Sequence, residues 1–488
     1  MEQTVRTRFA PSPTGFMHIG NLRTALYEYL IARANEGQFI LRIEDTDQER
    51  YVEGAMDVVF DTLKTTGITF DEGPGVGGAY GPYIQSQRRS IYKQYALMLV
   101  ASGHAYYCFC TKERLESLKS GSQQLGAALN YDRHCRNLSA KEVQANLAAG
   151  IPYVIRQKAP TEGSTTFTDA VYGEITVENK TLDDQVLLKS DGLPTYNFAN
   201  VVDDHLMKIT HVVRGNEYLS STPKYNQLYE AFGWEIPTYI HLPPVMKDAH
   251  NKLSKRNGDA SFQDLTAKGY LPEAILNYIA LLGWSPGGSE EFFTLAQMEK
   301  IFTIDGISKS PAIFDIEKLK WMNGEYIRRL SPAVFAQLSR PWLQQALGPD
   351  SPYDFAKIAA IIQPRTEVLS EIPDKVDFFR ALPEYDISLY CHKKMKTDTK
   401  NALEYLGKVR EYLTGADLNW VSSSLYEALC GFAASVGAKN SQILWPIRTA
   451  LSGRDVSPGG ATELAEILGE AETLRRIDIG ISKLTASC

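Results

Sequence analysis

The sequence has 488 residues and a formal net charge of −7 at pH 7, with 44% hydrophobic and 22% charged residues. This length predicts two to four domains, and this composition argues against intrinsic disorder. The negative charge excludes a generally basic coat protein for nucleic acid, but it does not exclude an acidic enzyme with a locally basic face.

Nothing in the sequence predicts a membrane anchor or an export signal. No segment approaches the roughly 20 apolar residues that a spanning helix needs. The N-terminal stretch "MEQTVRTRFAPSPTG" lacks the apolar core of a signal peptide. Six cysteines in so long a chain do not indicate a disulfide framework. We therefore expect a cytoplasmic protein with reduced thiols and no membrane association.

The first elements predict the opening of a doubly wound parallel sheet. "TVRTRFAP" alternates and is stopped by prolines, as a short strand would be. "IGNLRTALYEYLIARANEG" predicts a helix with Leu22, Leu26, Tyr29 and Leu30 on one face and its end at Gly37. "QFILRIED" is apolar on both faces, which is typical of a buried parallel strand, and a helix at about 51–66 follows. Strand, helix, strand and helix in this order favour an α/β fold.

The later elements predict an interruption of this sheet and then a helical region. "DEGPGVGGAYGPY" is a glycine-rich loop, and "QSQRRSIYKQYALMLVASG" predicts a helix. Short strands and polar loops between about 105 and 190 indicate an insertion. "HVVRGNEYLSSTPKYNQLYEAFGW" returns to a strand and a helix, so the first domain resumes near 195. Beyond about 330 the pattern is helical, in two blocks.

The segment "PSPTGFMHIGN" lies between the first strand and the first helix, where open parallel sheets bind ligands. Gly15 and Gly20 allow the backbone to approach a ligand, the helix N-terminus favours an anion, and His18 adds a donor for a phosphate oxygen. The lysine of a P-loop is missing. Taken alone, this segment is better explained by a surface histidine near a helix start, since such short motifs recur by chance.

The segment "NKLSKRNG" places Lys252, Lys255 and Arg256 in a polar loop. Flexible cations suit a pyrophosphate leaving group, on which negative charge builds during attack at the α-phosphate. A solvated basic loop is the simpler interpretation of this stretch by itself. The two segments together predict a site for a nucleoside triphosphate.

The order and spacing of these motifs resemble class I aminoacyl-tRNA synthetases. "HIGN" is similar to their His-Ile-Gly-His box and "KLSKR" to their Lys-Met-Ser-Lys-Ser loop. The finer resemblance is to the bacterial glutamyl branch, through "RFAPSPTG", "LRIEDTD", "DEGP…GGAYGPYIQSQR", "LLKSDGLPTYNFANVVDDHLM" and "FDIEKLKWMNGEYIR". The resemblance extends over essentially the whole chain. Two departures, Asn21 for the second histidine and Arg256 for the final serine, fit the glutamyl branch.

The resemblance implies a two-step reaction. Glutamate attacks the α-phosphate of ATP to give glutamyl-adenylate and pyrophosphate, and the adenylate then passes to the terminal ribose of tRNA-Glu. Positioning and charge stabilisation dominate such chemistry, with Mg²⁺ neutralising the ATP phosphates. Catalytic contacts are expected from His18, Lys252 and Lys255. The ATP-binding residues expected from the same motifs are Gly15, His18, Gly20, Asn21, Lys252, Ser254, Lys255 and Arg256.

Glutamate selection requires a cation in a dry pocket, since glutamine differs mainly in charge and donors. Arg8 on the first strand is placed to grip a carboxylate with two hydrogen bonds. Glu44 and Asp45 end a buried strand at the ligand edge, although a strand-end capping pair is an alternative. The resemblance adds a substrate role for Glu44, facing the ammonium group, and for Ser12, Tyr196, Asn200 and Arg214. Asp203 and Asp204 are interpreted as structural.

A zinc site in the inserted region is an open question. "YYCFC" contributes Cys108 and Cys110, and "YDRHCRN" contributes Cys135, at a separation that a zinc module can close. Some members of the family have a final histidine where this chain has Asn137, so a fourth ligand must come from elsewhere. Tyr131 is the preferred candidate, and His134 or water are the alternatives. Three buried free thiols remaining from a lost site are the competing interpretation.

The resemblance assigns roles to the predicted domains. The helical third would read the anticodon, with Arg365 in "QPRTEVL" helping to separate Glu from Gln anticodons, and a monomer is the family expectation. We predict a Rossmann-like, doubly wound catalytic domain with an inserted α+β domain, followed by all-α anticodon-binding domains. The predicted domain ranges are 1–100 and 195–250 for the catalytic domain and 101–194 for the insertion that binds the acceptor end. A stem-contact region with the KLSKR loop is expected at 251–330, and the two helical blocks at 331–390 and 391–488.

Four other interpretations stay open at this point. Glutaminyl-tRNA synthetases tend to have Pro-Glu-Pro-Asn-Gly where this chain has "APSPTG", and a β-rich C-terminal region. The glutamyl-queuosine tRNA enzyme is shorter and lacks an anticodon-binding region. An unrelated adenylyltransferase leaves the helical third unexplained, and a non-catalytic tRNA-binding paralogue would have lost His18 or the lysine loop. Whether tRNA-Gln is also charged is not encoded in any motif that we recognise.

Overall fold

The computed structural model describes residues 4–47, 52–124, 131–253 and 261–486. Its strands are Arg6–Phe9 (β1), Gln38–Leu41 (β2), Ala105–Cys108 (β3), Val154–Gln157 (β4), Ser164–Asp169 (β5), Gly173–Glu178 (β6), Val186–Leu188 (β7), His211–Gly215 (β8), Thr238–Leu242 (β9), Val245–Met246 (β10) and Ala312–Ile313 (β11). Its helices are Ile19–Ala34 (α1), Ala55–Thr66 (α2), Arg89–Ala101 (α3), Lys112–Gln124 (α4), Ala140–Ala148 (α5), Tyr196–Leu206 (α6), Thr222–Phe232 (α7), Phe262–Ala267 (α8), Pro272–Ala280 (α9), Leu295–Ile301 (α10), Ile316–Arg329 (α11), Pro332–Leu347 (α12), Phe355–Ile362 (α13), Ile372–Arg380 (α14), Thr399–Gly415 (α15), Ser422–Ser435 (α16), Asn440–Ser452 (α17) and Ala461–Thr485 (α18).

The chain folds as two compact units. One consists of Met1–Leu265 with Ile275–Asp315, and the other of Thr266–Ala274 with Ile316–Cys488. This division is coarser than the six ranges expected from the sequence, which stay a prediction. Among the described residues, none of the helices has the length and apolar character needed to cross a membrane.

The first unit contains the parallel sheet that its opening sequence predicts. Strand β1 pairs with β2 in parallel register, from Arg6 opposite Gln38 to Phe9 opposite Leu41. Strand β8 pairs in parallel with β9 within a four-stranded sheet of order β6-β5-β9-β8. The Thr210 N–H, just before β8, donates to the Arg6 carbonyl oxygen at 3.0 Å. Strands β1 and β8 therefore lie side by side, and their carboxyl ends open at the same edge.

Helix α1 differs from its sequence-based prediction in length and in burial. It ends at Ala34, three residues before Gly37, and Asn35 follows as its C-cap. The helix is buried on nearly every side rather than along one face; even Glu28 is only 1% exposed. The reason is that α1 packs against β1, β2, β8 and α10 together, so it forms the centre of this unit.

The inserted region contributes strands to two different sheets. Strands β3, β4 and β7 form an antiparallel sheet of order β3-β4-β7. Strand β5 instead joins the larger sheet, where Asp169 is paired in parallel with Tyr239 of β9. The strands near 105–190 therefore do not form one self-contained module; one of them delivers a carboxylate to the sheet that carries β8.

The second unit is built from helices α11 to α18 around one hydrophobic core. Fully buried side chains such as Phe335, Phe378, Tyr390 and Leu406 form this core, with their neighbours along α12, α14 and α15. Helix α18 is broken at Gly469, whose φ of 77° lies in the left-handed region that glycine adopts without strain. The prediction of a helical C-terminal third is confirmed.

Candidate active site

A cavity of about 390 Å³ opens at the carboxyl ends of β1 and β8, beside the first turns of α1. This is the edge at which open parallel sheets bind ligands. Five of the residues selected from the sequence line it, namely Arg8, Ser12, Asn21, Tyr196 and Arg214. The other lining residues are Phe9, Ala10, Pro11, Thr14, Thr24, Glu28, Val213, Gly215, Glu217 and Tyr218.

Arg214, on β8, is a buried cation whose charge has no ion-pair partner among the described residues. Its side chain is 6% exposed, and its guanidinium carbon lies 4.4 Å from the centre of the Tyr225 ring and 5.4 Å from that of Tyr218. Its Nε donates to Nε2 of His241 at 3.2 Å. Aromatic faces stabilise a buried guanidinium without neutralising it. Arg214 can therefore bind a carboxylate that enters the cavity.

Arg8, on β1, has the opposite arrangement because protein carboxylates already hold it. Its Nε donates to Asp204 at 3.0 Å and its Nη1 donates to Glu28 at 3.0 Å. Nη1 also donates to the Val213 carbonyl oxygen at 3.3 Å. The sequence predicts that Arg8 binds a ligand carboxylate in bidentate fashion. For this, the ligand must displace Asp204 or Glu28 from Arg8. Its substrate role stays a prediction.

Glu44 lies just beyond β2 and belongs to the same charged layer. Its Oε1 accepts hydrogen bonds from Nη2 of Arg42 at 2.9 Å and from Nε2 of Gln85 at 3.3 Å. Burial raises the pKa of Glu44 to about 7, although Arg42 and Arg8 act in the opposite direction. Burial raises the pKa of Tyr196, a lining residue, well above its usual value, and the charge of Glu44 raises it as well. A carboxylate with this pKa changes charge near neutral pH.

The paired aspartates on α6 are structural, in agreement with the sequence interpretation. Asp204 accepts from Arg8 and, at 2.7 Å, from Nη1 of Arg42. Asp203 accepts from Nε of Arg88 at 2.7 Å. All of these groups are buried, so each charge is compensated by a partner at hydrogen-bond distance. Asn200, on the same helix, donates to the Tyr196 carbonyl oxygen at 2.8 Å and so braces a lining residue.

The glycine-bounded turn before α1 places His18 at the helix N-cap. Nδ1 of His18 accepts a hydrogen bond from the Gly20 N–H at 3.0 Å. A Cβ atom at position 20 would lie 3.2 Å from that nitrogen, which is why glycine fits there. Gly15 has a φ of +110°, in the region that favours glycine. The predicted anion site is thus the N-terminus of a long, buried helix.

The two ends of the basic loop reach different parts of the first unit. Lys252 pairs with Met246, at the end of β10. After the loop, Ser261 pairs with His18, and the Phe262 N–H donates to the Met17 carbonyl oxygen at 3.0 Å. The loop therefore returns directly to the histidine turn. Ser254, Lys255 and Arg256 lie outside the described residues, and their predicted roles stay predictions.

The inserted region brings together the four residues selected for a metal. The sulfur atoms of Cys108, Cys110 and Cys135 lie within 4.8 Å of one another. The Tyr131 hydroxyl is 3.3 Å from the sulfurs of both Cys108 and Cys110. His134, the alternative ligand, is exposed. Three thiols and a phenol at these separations fit the tetrahedral donor set of a structural zinc ion, in which Zn–S bonds are about 2.3 Å.

Comparisons with known proteins identify the family. Residues 4–321 match the family model of tRNA synthetases class I (E and Q), catalytic domain, and residues 334–481 match an anticodon binding domain. The chain belongs to this class I synthetase family. It is 60% identical over 480 residues to a glutamate–tRNA ligase of Clostridium tetani, covering 98% of each chain, and 59% identical over 486 residues to one of Clostridium botulinum, covering all of both.

Solved structures agree with this membership of the class I synthetases. A glutamate tRNA ligase of Elizabethkingia meningosepticum, crystallised in complex with its amino acid, superposes with a TM-score of 0.89 at 35% identity. That superposition covers 99% of this chain and 100% of the other. The predicted Rossmann-like catalytic fold with a helical C-terminal region is thereby confirmed.

The region that matches the anticodon binding domain contains a second cavity, of about 830 Å³. Arg448 lies in its wall with its guanidinium carbon 4.0 Å from the centre of the Trp445 ring. Nη1 of Arg448 donates to the Ser457 hydroxyl at 3.2 Å, and Arg365 donates to the Ser457 carbonyl oxygen. The residue selected from the sequence, Arg365, thus shares one contact residue with a stacked arginine–tryptophan pair.

Sequence reasoning missed several residues of these two sites. Arg42 is a charge on a strand that reads as buried on both faces, which is itself a signal that a buried partner exists. Glu28 lies within a run of apolar helix residues and gives the same signal. Trp445 and Arg448 have no local pattern that separates them from other residues of a helix.

Proposed function

We propose that this class I synthetase is a glutamate–tRNA ligase. It would activate L-glutamate with ATP to glutamyl-adenylate and pyrophosphate, and transfer glutamate to the 3′-terminal adenosine of tRNA-Glu. The structural observation that carries the proposal is Arg214, a buried cation at the cavity wall that forms no ion pair with any carboxylate of the described residues. The relatives named above are glutamate–tRNA ligases along their whole length.

Arg214 is proposed to select the substrate side chain. A carboxylate of glutamate would supply the negative charge that the buried guanidinium lacks, whereas the amide of glutamine would leave that charge uncompensated. Glu44, in its ionised form, would bind the substrate ammonium. The α-carboxylate would then point to the N-terminus of α1, where the nucleotide is expected.

The protein's part in the activation step is to position reactants and to stabilise charge. His18 and the positive N-terminal end of the α1 dipole would hold the phosphates as the α-carboxylate attacks. The lysines of the basic loop would stabilise the departing pyrophosphate. Mg²⁺ that accompanies ATP supplies further charge neutralisation on those phosphates. No protein side chain needs to act as a general acid, since the attacking carboxylate is already ionised and the bond that breaks releases pyrophosphate as an anion that these cations would stabilise.

The second unit is proposed to bind the anticodon. A guanidinium stacked on an indole ring offers a flat surface for an unpaired base and charge for the phosphates. Arg365 would add base discrimination beside it. The match to an anticodon binding domain supports this role and disfavours the short glutamyl-queuosine enzyme. We further propose a cytoplasmic monomer, as the family resemblance implies.

Aminoacylation tests the assignment directly. Purified protein is incubated with ATP, Mg²⁺ and either tRNA-Glu or tRNA-Gln, in the presence of radiolabelled glutamate or glutamine. We expect glutamate on tRNA-Glu and no glutamine on either tRNA. Charging of glutamine, or failure to charge glutamate, would overturn the proposal. Arg214→Lys keeps the charge but loses the planar fork, and it should raise KM for glutamate by about tenfold or more while KM for ATP stays constant.

A further inference from the structure

Behind Arg214 lies a buried pair, Asp169 and His241, that no step above uses. Asp169 ends β5 and His241 is in β9, and both side chains are fully buried. Nδ1 of His241 lies 2.6 Å from Oδ2 of Asp169, and the His241 N–H donates to the same oxygen at 3.1 Å. The N–H groups of Val171 and Tyr172 donate to Oδ1 at 2.9 and 2.8 Å. Burial opposes ionisation of Asp169, but these hydrogen bonds lower its pKa.

This arrangement determines which nitrogen of His241 carries the proton. An ionised Asp169 can only accept, so Nδ1 must be the protonated nitrogen. Nε2 is then an acceptor, and Nε of Arg214 donates to it at 3.2 Å. A proton on Nε2 would face the Arg214 N–H and remove this bond. Burial lowers the pKa of His241, and Arg214 lowers it further while Asp169 acts in the opposite direction.

This chain of hydrogen bonds from Asp169 through His241 to Arg214 leaves one edge of the Arg214 guanidinium for a ligand. Nε is engaged by His241, and Nη2 donates to the Thr222 hydroxyl at 3.4 Å. Nη1 has no hydrogen bond to any described residue. The remaining N–H groups of Nη1 and Nη2 form the end of the fork, which matches the two oxygens of a carboxylate.

A competing carboxylate shows why Arg214 needs such an anchor. Glu217 lines the same cavity, only three residues further along the chain. It nevertheless forms no ion pair with Arg214 among the described residues. If Arg214 turned to Glu217, its charge would be neutralised by the protein and the cavity would lose its affinity for an acidic side chain.

We propose that Asp169 and His241 are positioning residues that hold Arg214 end-on to the substrate carboxylate and away from Glu217, and so set the selection of glutamate. This inference rests on the proposed role of Arg214 in glutamate binding. Neither residue touches the substrate; both act through the guanidinium. Removing the acceptor at Nε2 of His241 frees Nε of Arg214, lets the guanidinium turn, and makes Glu217 the preferred partner.

His241→Leu removes the acceptor, and steady-state aminoacylation of tRNA-Glu measures the effect. KM for glutamate should rise about tenfold, the effect of losing a hydrogen bond to a charged group, while KM for ATP and kcat stay within about threefold. His241→Gln, whose amide oxygen can accept from Arg214, should restore most of the affinity. His211→Leu is the matched control, because His211 begins β8 whereas Arg214 lies near the end of that strand. It should leave KM for glutamate and KM for ATP unchanged.

A second substitution separates positioning from mere support of the fold. If Arg214 pairs with Glu217 in the His241→Leu protein, adding Glu217→Gln should lower KM for glutamate at least threefold relative to His241→Leu alone. A purely structural role of His241 would give no such recovery. Asp169→Asn provides an independent variant, because an amide at this position favours a proton on Nε2, and it should raise KM for glutamate in the same way.

Each outcome decides one of the two proposals. Cooperative thermal unfolding is the criterion that a variant is folded. If folded His241→Leu or folded Asp169→Asn has an unchanged KM for glutamate, the positioning role of Asp169 and His241 is overturned. Equal rises in KM for glutamate and ATP also overturn it. If wild-type protein does not charge glutamate, or if Arg214→Lys leaves KM for glutamate unchanged, the proposed function of the cavity fails instead.

Discussion

Arg8 and Arg214 line one cavity, and the difference between them lies in their partners. Arg8 pairs with Asp204 and Glu28, whereas Arg214 is surrounded by tyrosine rings. A buried, paired charge is structural unless a ligand displaces its partner, while a buried, unpaired charge requires a ligand or a counter-ion. The distribution of carboxylates, more than the presence of arginine, therefore indicates where an acidic substrate binds.

The pKa of Glu44 predicts how glutamate binding depends on pH. Burial raises this pKa to about 7, so Glu44 loses its charge as the pH falls below neutrality. Only the ionised form can pair with the substrate ammonium. KM for glutamate should therefore rise about tenfold between pH 8 and pH 6, in inverse proportion to the fraction of Glu44 that is ionised.

Measurement of KM for glutamate and for ATP in parallel at half-unit pH steps checks this prediction. The ATP series corrects for titration of the nucleotide itself. A Glu44→Gln protein should have a high KM for glutamate that does not change over this range. A wild-type KM for glutamate that is constant between pH 6 and pH 8 would contradict the assignment of Glu44.

At the residue level, the sequence predicts positions better than partners. The motif "RFAPSPTG" and the resemblance it carries select Arg8, Ser12 and Arg214, and the structure brings all three to one cavity. The partners could not be read from the sequence, since Arg8 and Asp204 lie 196 positions apart. Buried ion pairs leave no periodic pattern, because their spacing reflects how the chain folds and not the period of a helix or strand.

At the level of elements, the sequence predicts individual helices and strands better than it predicts which strands pair. The strand, helix and strand from Arg6 to Leu41 are recognisable from apolar patterning and from the glycines and prolines that bound them. The pairing of β5 with β9 is not, since it rests on a short parallel contact between segments about 70 residues apart. The Asp169–His241 pair depends on this contact and was accordingly missed.

The three-stranded sheet β3-β4-β7 carries the thiol cluster, and its metal content is a prediction at this level. We expect about one zinc ion per chain by elemental analysis of protein purified without chelators. Cys108→Ser and Cys135→Ser should each reduce zinc to near zero. Cys391→Ser, at an exposed position in the second unit, is the matched control and should retain it.

Tyr131→Phe tests the fourth ligand. The phenol lies against two of the sulfurs, while burial and its contacts with Cys108 and Cys110 raise its pKa. A bound dication would counter this effect and favour the phenolate. If Tyr131 is the ligand, Tyr131→Phe should bind zinc more weakly in a competition with a chromophoric chelator. Wild-type protein with almost no zinc would leave three free thiols as the correct interpretation.

At the level of the whole molecule, the two units divide the proposed reaction into chemistry and recognition. The cavity at β1 and β8 belongs to the first unit, and Arg365 and Arg448 belong to the second. Changes in one unit should therefore alter separate kinetic constants from changes in the other. The length predicted more than one domain, and the helical pattern beyond about 330 predicted the nature of the second unit.

Arg365→Ala is the prediction that tests this division. The guanidinium of Arg365 bonds the Ser457 carbonyl oxygen, beside the stacked Trp445 and Arg448, and is proposed to contact the anticodon. Loss of a bidentate base contact typically costs about tenfold or more in discrimination. Arg365→Ala should raise KM for tRNA-Glu and reduce the preference for it over a tRNA-Glu that carries a glutamine anticodon. KM for glutamate and for ATP should stay as in wild type, because both are proposed to bind in the first unit.

Arg475→Ala is the control for this prediction. It removes an equal charge from an exposed arginine that pairs with Glu472 in the same unit, and it should change none of these constants. Identical charging kinetics of wild type and Arg365→Ala across anticodon variants would show that this arginine does not read the anticodon.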